Sequence, residues 1–95
     1  MAKIRFEWDS LKEYENIQKH GVNFGTAKTA FFDSLRLVDE DLAHSSDEKR
    51  YFCYGMVEGS ILTVRFTYRG GTVRIFGAGY WRKGRREYEK ENKIH

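Results

Sequence analysis

Residues 61–76 read ILTVRFTYRGGTVRIF and contain the clearest strand and turn signals of the chain. Between Leu62 and Phe66 apolar and polar residues alternate, which is typical of a β-strand with one buried face. The pair Gly70-Gly71 interrupts the pattern and tolerates the positive φ angles of a tight hairpin turn. The stretch therefore predicts two antiparallel strands, over residues 61–68 and 72–80.

A helix with a recognisable start is predicted near the N-terminus. Ser10 and Glu13 match a capping box, in which both side chains satisfy free amides of the first helical turn. Leu11, Tyr14 and Ile17 would then share one face of the helix.

The remaining elements follow from the same two periodicities and from the turn residues between them. The predicted order is a short strand over 4–8, a helix over 10–20, a second helix capped by Asn23, strands over 35–38, 50–57, 61–68 and 72–80, and a final helix over 83–92. The predicted fold class is therefore α+β: a four-stranded antiparallel meander with a short N-terminal strand, two N-terminal helices and one C-terminal helix. We expect residues 1–95 to form a single domain.

Composition excludes several classes of protein. With 40% hydrophobic and 33% charged residues, the chain has the balance of a compact domain rather than of a disordered segment. No apolar run is long enough to cross a bilayer and the N-terminus lacks a signal region, so we expect no membrane association and a cytoplasmic location. Cys53 is the single cysteine, cannot form an intrachain disulfide and is expected to be a small core residue.

Positive charge is concentrated in the last part of the chain. Residues 60–95 contain nine lysines and arginines against three acidic residues, whereas the preceding residues contain eight against eleven. Such a surface suits a polyanion, because phosphate contacts from lysine and arginine supply most of the affinity for nucleic acid. For the final helix alone, an ordinary solvated surface with pairs of opposite charge is an equally good interpretation.

Arginines in the predicted strands are more informative than those in the helix. Strand alternation places Arg65, Arg69 and Arg74 on the solvent side of two adjacent strands, together with Phe76 and Tyr80. An antiparallel sheet normally has one solvated side, so polar residues there need no functional explanation. Arginine combined with stacking rings is, however, the mixture that binds single-stranded RNA.

His44 is the histidine best placed for proton transfer. It lies in a predicted loop that also contains Glu48 and leads into Arg50, whereas His20 sits at a helix end where a structural role is expected. A solvated turn is the alternative interpretation of the loop. No metal-ligand spacing or phosphate-binding loop is present, so we expect no metal and no cofactor. RNA cleavage would then proceed by attack of the 2′-hydroxyl on the neighbouring phosphorus, with side chains acting as base, acid and cations.

Several short motifs together resemble the BrnT family of toxins and cover nearly the whole chain in the family's order. They are Phe6-Glu7-Trp8-Asp9, Lys19-His20-Gly21-Val22-Asn23-Phe24, His44-Ser45 with Glu48 and Arg50, Thr67 with Arg69, and Arg74-Ile75 ahead of a basic helix containing Tyr88-Glu89. The resemblance implies a RelE-like α+β fold and a ribonuclease that halts translation by cleaving mRNA. It also implies neutralisation by a BrnA antitoxin, with operator DNA bound only through the antitoxin's ribbon-helix-helix part. A heterotetramer with two copies of each chain is the implied assembly, and a homodimer is the alternative state for the free toxin.

The chain departs from the family at one position. Family members commonly carry Ile-Ser-Ala-Arg on the last strand, whereas this chain has Phe76-Gly77-Ala78-Gly79. A cation expected after Ala78 is therefore missing, and Arg82 or Lys83 could replace it.

These observations assign provisional roles to two groups of residues. The predicted catalytic residues are His44 and Glu48 as acid and base, and Arg50, Arg69, Arg74 and Arg82 as phosphate and transition-state cations. The predicted RNA-binding residues are Arg65, Tyr80, Trp81, Lys83 and Arg86. The alternative function is a non-catalytic module that binds nucleic acid or antitoxin and has lost nuclease activity.

Overall fold

The computed structural model describes residues 3–93. Five strands and three α-helices follow one another along the chain, with two short 3-10 helices between them. The elements are β1 (Phe6–Trp8), α1 (Ser10–His20), α2 (Phe24–Ala27), a 3-10 helix (Lys28–Phe32), β2 (Leu37–Glu40), a second 3-10 helix (Leu42–His44), β3 (Arg50–Val57), β4 (Ser60–Arg69), β5 (Thr72–Gly79) and α3 (Arg82–Glu91).

All five strands form one sheet in the order β1-β5-β4-β3-β2. Strands β2 to β5 form the predicted antiparallel meander, and the α+β prediction is confirmed. The N-terminal strand completes the sheet by pairing parallel to β5, with Glu7 opposite Arg74. Sequence periodicity gave no partner for β1, and this pairing joins residues 6–8 to residues 73–75. The strand predicted over 35–38 lies two residues later, at Leu37–Glu40.

One face of the sheet carries the main apolar core. Residues after α1 pack against it, including Phe24, Ala30 and Phe31, each almost fully buried. Cys53 is buried in this core as predicted, and burial raises the pKa of its thiol to about 12. At Gly55 the backbone of the first 3-10 helix approaches so closely that a Cβ would collide with the carbonyl of Ala30.

Helix α1 has the predicted boundaries but a different cap. Asp9 rather than Ser10 is the N-cap, and its carboxylate accepts hydrogen bonds from the amides of Leu11 and Lys12. Glu13 lies in the first turn of α1, but its carboxylate accepts a hydrogen bond from the amide of Phe24, at the start of α2. The capping-box prediction was therefore wrong. Asp9 takes the capping role predicted for Ser10, and Glu13 binds the amide of Phe24 instead of an amide at the start of α1.

The contact between α1 and the sheet is polar. Asn16 is 7% exposed, donates to the carbonyls of Val22 and Ala78, and accepts a hydrogen bond from the amide of Ala78 in β5. Leu11 and Tyr14, from the predicted apolar face, are 65% and 60% exposed. A buried asparagine therefore fixes α1 where a stripe of apolar residues was the expected attachment.

Helix α3 covers only part of the second face of the sheet. Gly84 lies against Thr63 and Tyr54 of the sheet. The buried Tyr88 donates a hydrogen bond to the carboxylate of Asp33, which follows the first 3-10 helix. The rest of this face, towards the start of β3 and β5, is not covered by α3. Within the described part of the chain, no helix has the length and apolar character needed to cross a membrane.

Candidate RNA-binding and catalytic site

The uncovered part of the second sheet face carries most of the strand arginines. We call it the cationic face and define it by Arg50, Phe52, Arg65, Thr67, Arg74 and Phe76. Sheet register builds it in two rows. Arg50, Thr67 and Arg74 lie opposite one another on β3, β4 and β5, and Phe52 lies opposite Arg65 in the next row.

A β-bulge places Phe76 between the two rows. Arg65 pairs with Gly77 whereas Phe66 pairs with Ile75, so Phe76 is an extra residue of β5 without a partner on β4. Its ring meets two guanidinium groups, that of Arg50 at 5.1 Å and that of Arg65 at 5.0 Å from the ring centroid. Neither arginine makes a salt bridge to any acidic side chain within residues 3–93.

Two further arginines beside this cluster already have acidic partners. Arg74 pairs with Glu7 of β1, and Arg69 pairs with Glu48 at 3.2 Å. Backbone hydrogen bonds from Lys12 and Leu11, with the charge of Arg74, lower the pKa of the nearby Asp9 carboxyl. A shallow groove of about 110 Å³ collects these groups, lined by Asp9, Lys12, Glu48, Arg50, Thr67, Arg69, Arg74, Ile75 and Phe76.

His44 is oriented by a buried carboxylate that the sequence analysis did not single out. Its Nδ1 lies 2.9 Å from Oδ2 of Asp41, whose side chain is only 7% exposed while that of His44 is 59% exposed. Ser45 fastens this loop to β3, because its hydroxyl donates to the Asp41 carbonyl and accepts from the amide of Arg50. The three-residue spacing from Asp41 to His44 was the available signal, but such spacing is common in polar loops.

His44, Glu48 and Arg50 come together as the sequence suggested. They line a depression of about 160 Å³ that shares Glu48 and Arg50 with the groove on the cationic face. Hence five of the six predicted catalytic residues, namely His44, Glu48, Arg50, Arg69 and Arg74, and the predicted RNA-binding Arg65 belong to one continuous region.

Arg82 lies outside this region. It lines a separate groove with Tyr80, Trp81 and Arg85, next to Ser60 and Ile61 at the start of β4. Lys83 lines a different groove, together with Asp39, Glu40 and Glu87, and its ammonium lies 5.9 Å from the ring centroid of Phe52 on the cationic face. Arg86 is exposed on α3 and lines neither groove. Of the two substitutes considered for the missing family cation, only Lys83 therefore faces the cluster.

The position of that missing cation is filled by an indole. A Cβ on Gly79 would lie 2.5 Å from Cε2 of Trp81, so any side chain at residue 79 would require the tryptophan to move. Trp81 also packs edge-on against the ring of His20 at a centroid distance of 5.1 Å. The glycine and the tryptophan thus form a packing unit, and the tryptophan is less available as a stacking surface than its sequence position suggested.

The arrangement combines the His44 imidazole, which Asp41 orients, with the carboxylate of Glu48 and with arginines that have no acidic partner among residues 3–93. Among residues 3–93, no three His, Cys, Asp or Glu side chains are grouped as metal ligands would be. A histidine held by a carboxylate can exchange protons, and neighbouring guanidinium groups can bind a phosphate and stabilise charge that develops on it.

Comparison with known proteins agrees with this chemistry. No curated protein shows significant similarity to the chain. A family model described as the ribonuclease toxin BrnT of type II toxin-antitoxin systems matches residues 8–84. The matched segment includes β5, the His44 loop and every arginine of the cationic face. Because the match covers well over half of its length, the chain belongs to the BrnT family of ribonuclease toxins.

Proposed function

We propose that the protein is a metal-independent endoribonuclease that cleaves mRNA on the cationic face and thereby inhibits translation. The observation that carries the proposal is the placement of Arg50 and Arg65 around Phe76, without acidic partners in the described chain, beside the His44–Asp41 pair. Cations without an acidic partner are available to a phosphodiester, whereas Arg69 and Arg74 must first exchange a carboxylate for it.

In this proposal the substrate 2′-hydroxyl attacks the adjacent phosphorus and the 5′-oxygen leaves. One proton is removed from the attacking hydroxyl and one is delivered to the leaving oxygen. His44 exchanges one of these protons through Nε2, because Asp41 occupies Nδ1. Glu48 is the second acid/base group, and Arg50 and Arg65 stabilise the negative charge on the phosphorane oxygens. The products are a 2′,3′-cyclic phosphate and a free 5′-hydroxyl.

The family assignment supports a protein antitoxin as the partner. We propose that this partner is a BrnA-like ribbon-helix-helix protein encoded beside the toxin, that it binds operator DNA, and that the complex is a heterotetramer in the cytoplasm. Residues 1–95 would then act as one toxin domain. Co-purification of the neighbouring gene product with this chain tests the partner.

A second candidate is a module that binds RNA without cutting it. Two observations favour it: Gly79 stands where the family commonly has arginine, and both Arg69 and Arg74 are occupied by carboxylates. Binding alone needs only the cations, whereas cleavage also needs the acid and base.

The two candidates are separated by incubating purified protein with end-labelled RNA in EDTA. The proposal predicts fragments with 2′,3′-cyclic phosphate ends, and their loss in the variant His44→Ala. Intact RNA with a salt-sensitive mobility shift would support binding alone. Equal cleavage by wild type and His44→Ala would remove His44 from the mechanism.

A further inference from the structure

We infer that Phe76 is a positioning residue that holds Arg50 and Arg65 together as a receptor for one backbone phosphodiester. This inference rests on the proposed function, and it adds the residue that makes the two arginines act as a unit. Strand alternation placed Phe76 on the solvent side of the sheet, but its contact with Arg50 and Arg65 depends on a bulge that alternation does not reveal.

Geometry provides the first argument. The two guanidinium groups are each about 5 Å from one ring centroid, so the cations lie within roughly 10 Å of each other. They reach the ring from different strands, Arg50 from β3 and Arg65 from β4, with Thr67 and Phe52 as their respective cross-strand neighbours. The ring that both side chains reach belongs to Phe76, the extra residue of β5 at the bulge.

Charge compensation provides the second argument. Like charges at this separation repel each other, and elsewhere on the site the structure offsets arginine charge with Glu7 and Glu48. For Arg50 and Arg65 the electron-rich ring face takes that place. The ring is neutral, so it offsets the charge of the arginines only partly and does not compete with an anion for them as a carboxylate would. The pair therefore remains available to the oxyanion of a phosphodiester, which can accept a charge-assisted hydrogen bond from each arginine.

The neighbouring row has a different electrostatic character. The Lys83 ammonium lies 5.9 Å from the ring centroid of Phe52, directly opposite Arg65, but the groove that Lys83 lines also contains Asp39, Glu40 and Glu87. These carboxylates would repel a phosphate, so the receptor comprises the Arg50–Arg65 pair alone.

The test compares Phe76→Leu, which keeps an apolar side chain without a π face, with Phe76→Tyr, which keeps the ring. Phe32→Leu is the matched control, because Phe32 is 62% exposed and contacts another aromatic ring but none of these cations. The first readout is the Hε resonances of Arg50 and Arg65, which the ring current of Phe76 should displace in the wild type because both guanidinium groups lie about 5 Å from the ring centroid. We expect Phe76→Leu to abolish the displacement, and Phe76→Tyr and Phe32→Leu to retain it.

The second readout is affinity for RNA, measured with an analogue that cannot be cleaved. Loss of the ring contact to both cations should raise the Kd for a 2′-deoxy RNA analogue about tenfold in Phe76→Leu, with little change in Phe76→Tyr. Unchanged Hε resonances or equal affinities for the two Phe76 variants would overturn the inference. If Phe76→Leu does not fold, Phe76→Met replaces it with the same expectations. Because the analogue cannot be cut, this result is independent of whether the wild type is a nuclease.

Discussion

Replacing Asn16 by alanine should lower the free energy of unfolding more than replacing an apolar residue of α1, such as Ile17, by alanine. The change removes three buried hydrogen bonds, two to carbonyl groups and one to the amide of Ala78. At about 1 kcal/mol for each bond, the expected loss is about 3 kcal/mol of unfolding free energy, out of roughly 5–15 kcal/mol for a typical domain. For a domain of this size the melting temperature should fall by roughly 12–24 °C.

Urea denaturation of Asn16→Ala beside Ile17→Ala measures this directly. Ile17 is the next residue, belongs to the predicted apolar face and is 40% exposed, so its truncation should cost less than about 1 kcal/mol. Helical periodicity alone would predict the opposite order. If Ile17→Ala proves the more damaging substitution, α1 is attached through its apolar stripe and the polar attachment described above is incorrect.

Three further predictions concern the helix across the sheet, the histidine loop and the response to acid. Gly84→Ala should lower stability by about 1–3 kcal/mol, because its Cβ would collide with the sheet under α3; an unchanged urea midpoint would contradict this close approach. Asp41→Asn should lower kcat for RNA cleavage by about tenfold to a hundredfold by releasing the imidazole of His44, whereas Glu40→Gln, at the preceding residue and outside the depression around His44, should leave kcat unchanged. Partial burial alone would raise the pKa of Asp33, but hydrogen bonds from Tyr88 and from two amides outweigh it and lower that pKa, so its stabilising effect should be lost as the pH falls below its ordinary value of 3.8. Asp33→Asn should accordingly flatten the acid side of a stability profile measured by urea denaturation, and an identical slope in both proteins would refute the assignment.

Local patterns were sufficient to predict most of the fold. Alternation gave the β3–β5 meander, and its solvent side correctly included Arg65 and Arg74. Successive side chains along a strand point to opposite faces of the sheet, so the side that each residue faces can be predicted wherever the strand is regular. The end of α1 at His20 was also predictable, because a glycine follows it. In the structure Gly21 adopts the left-handed conformation that ends a helix.

What could not be predicted depends on contacts between distant parts of the chain. The parallel pairing of β1 with β5 places Glu7 beside Arg74, and no local pattern contains that information. Asn16 is an ordinary polar residue in the sequence, and only the fold shows that a β5 amide and carbonyl need it as a partner.

The candidate site shows the same division. Loop composition brought His44, Glu48 and Arg50 to attention, and they do lie together. In α3, Lys83 lies over Phe52 while the neighbouring Arg82 lines a separate groove with Tyr80 and Trp81. This separation depends on how α3 lies against the sheet, where Gly84 contacts Thr63 and Tyr54, and sequence periodicity does not contain that information. Cations adjacent in sequence therefore belong to different surfaces.

Placement of the RNA on the cationic face can be tested by comparing two arginines that have no acidic partner within the described residues. Arg65 lies on the cationic face and Arg82 lies on the other flank of α3. The measurement is the single-turnover rate constant of RNA cleavage by Arg65→Ala and Arg82→Ala at matched ionic strength. We expect a loss of at least about tenfold for Arg65→Ala and less than about threefold for Arg82→Ala. Equal losses, or a larger loss for Arg82→Ala, would contradict the placement of the RNA on the cationic face.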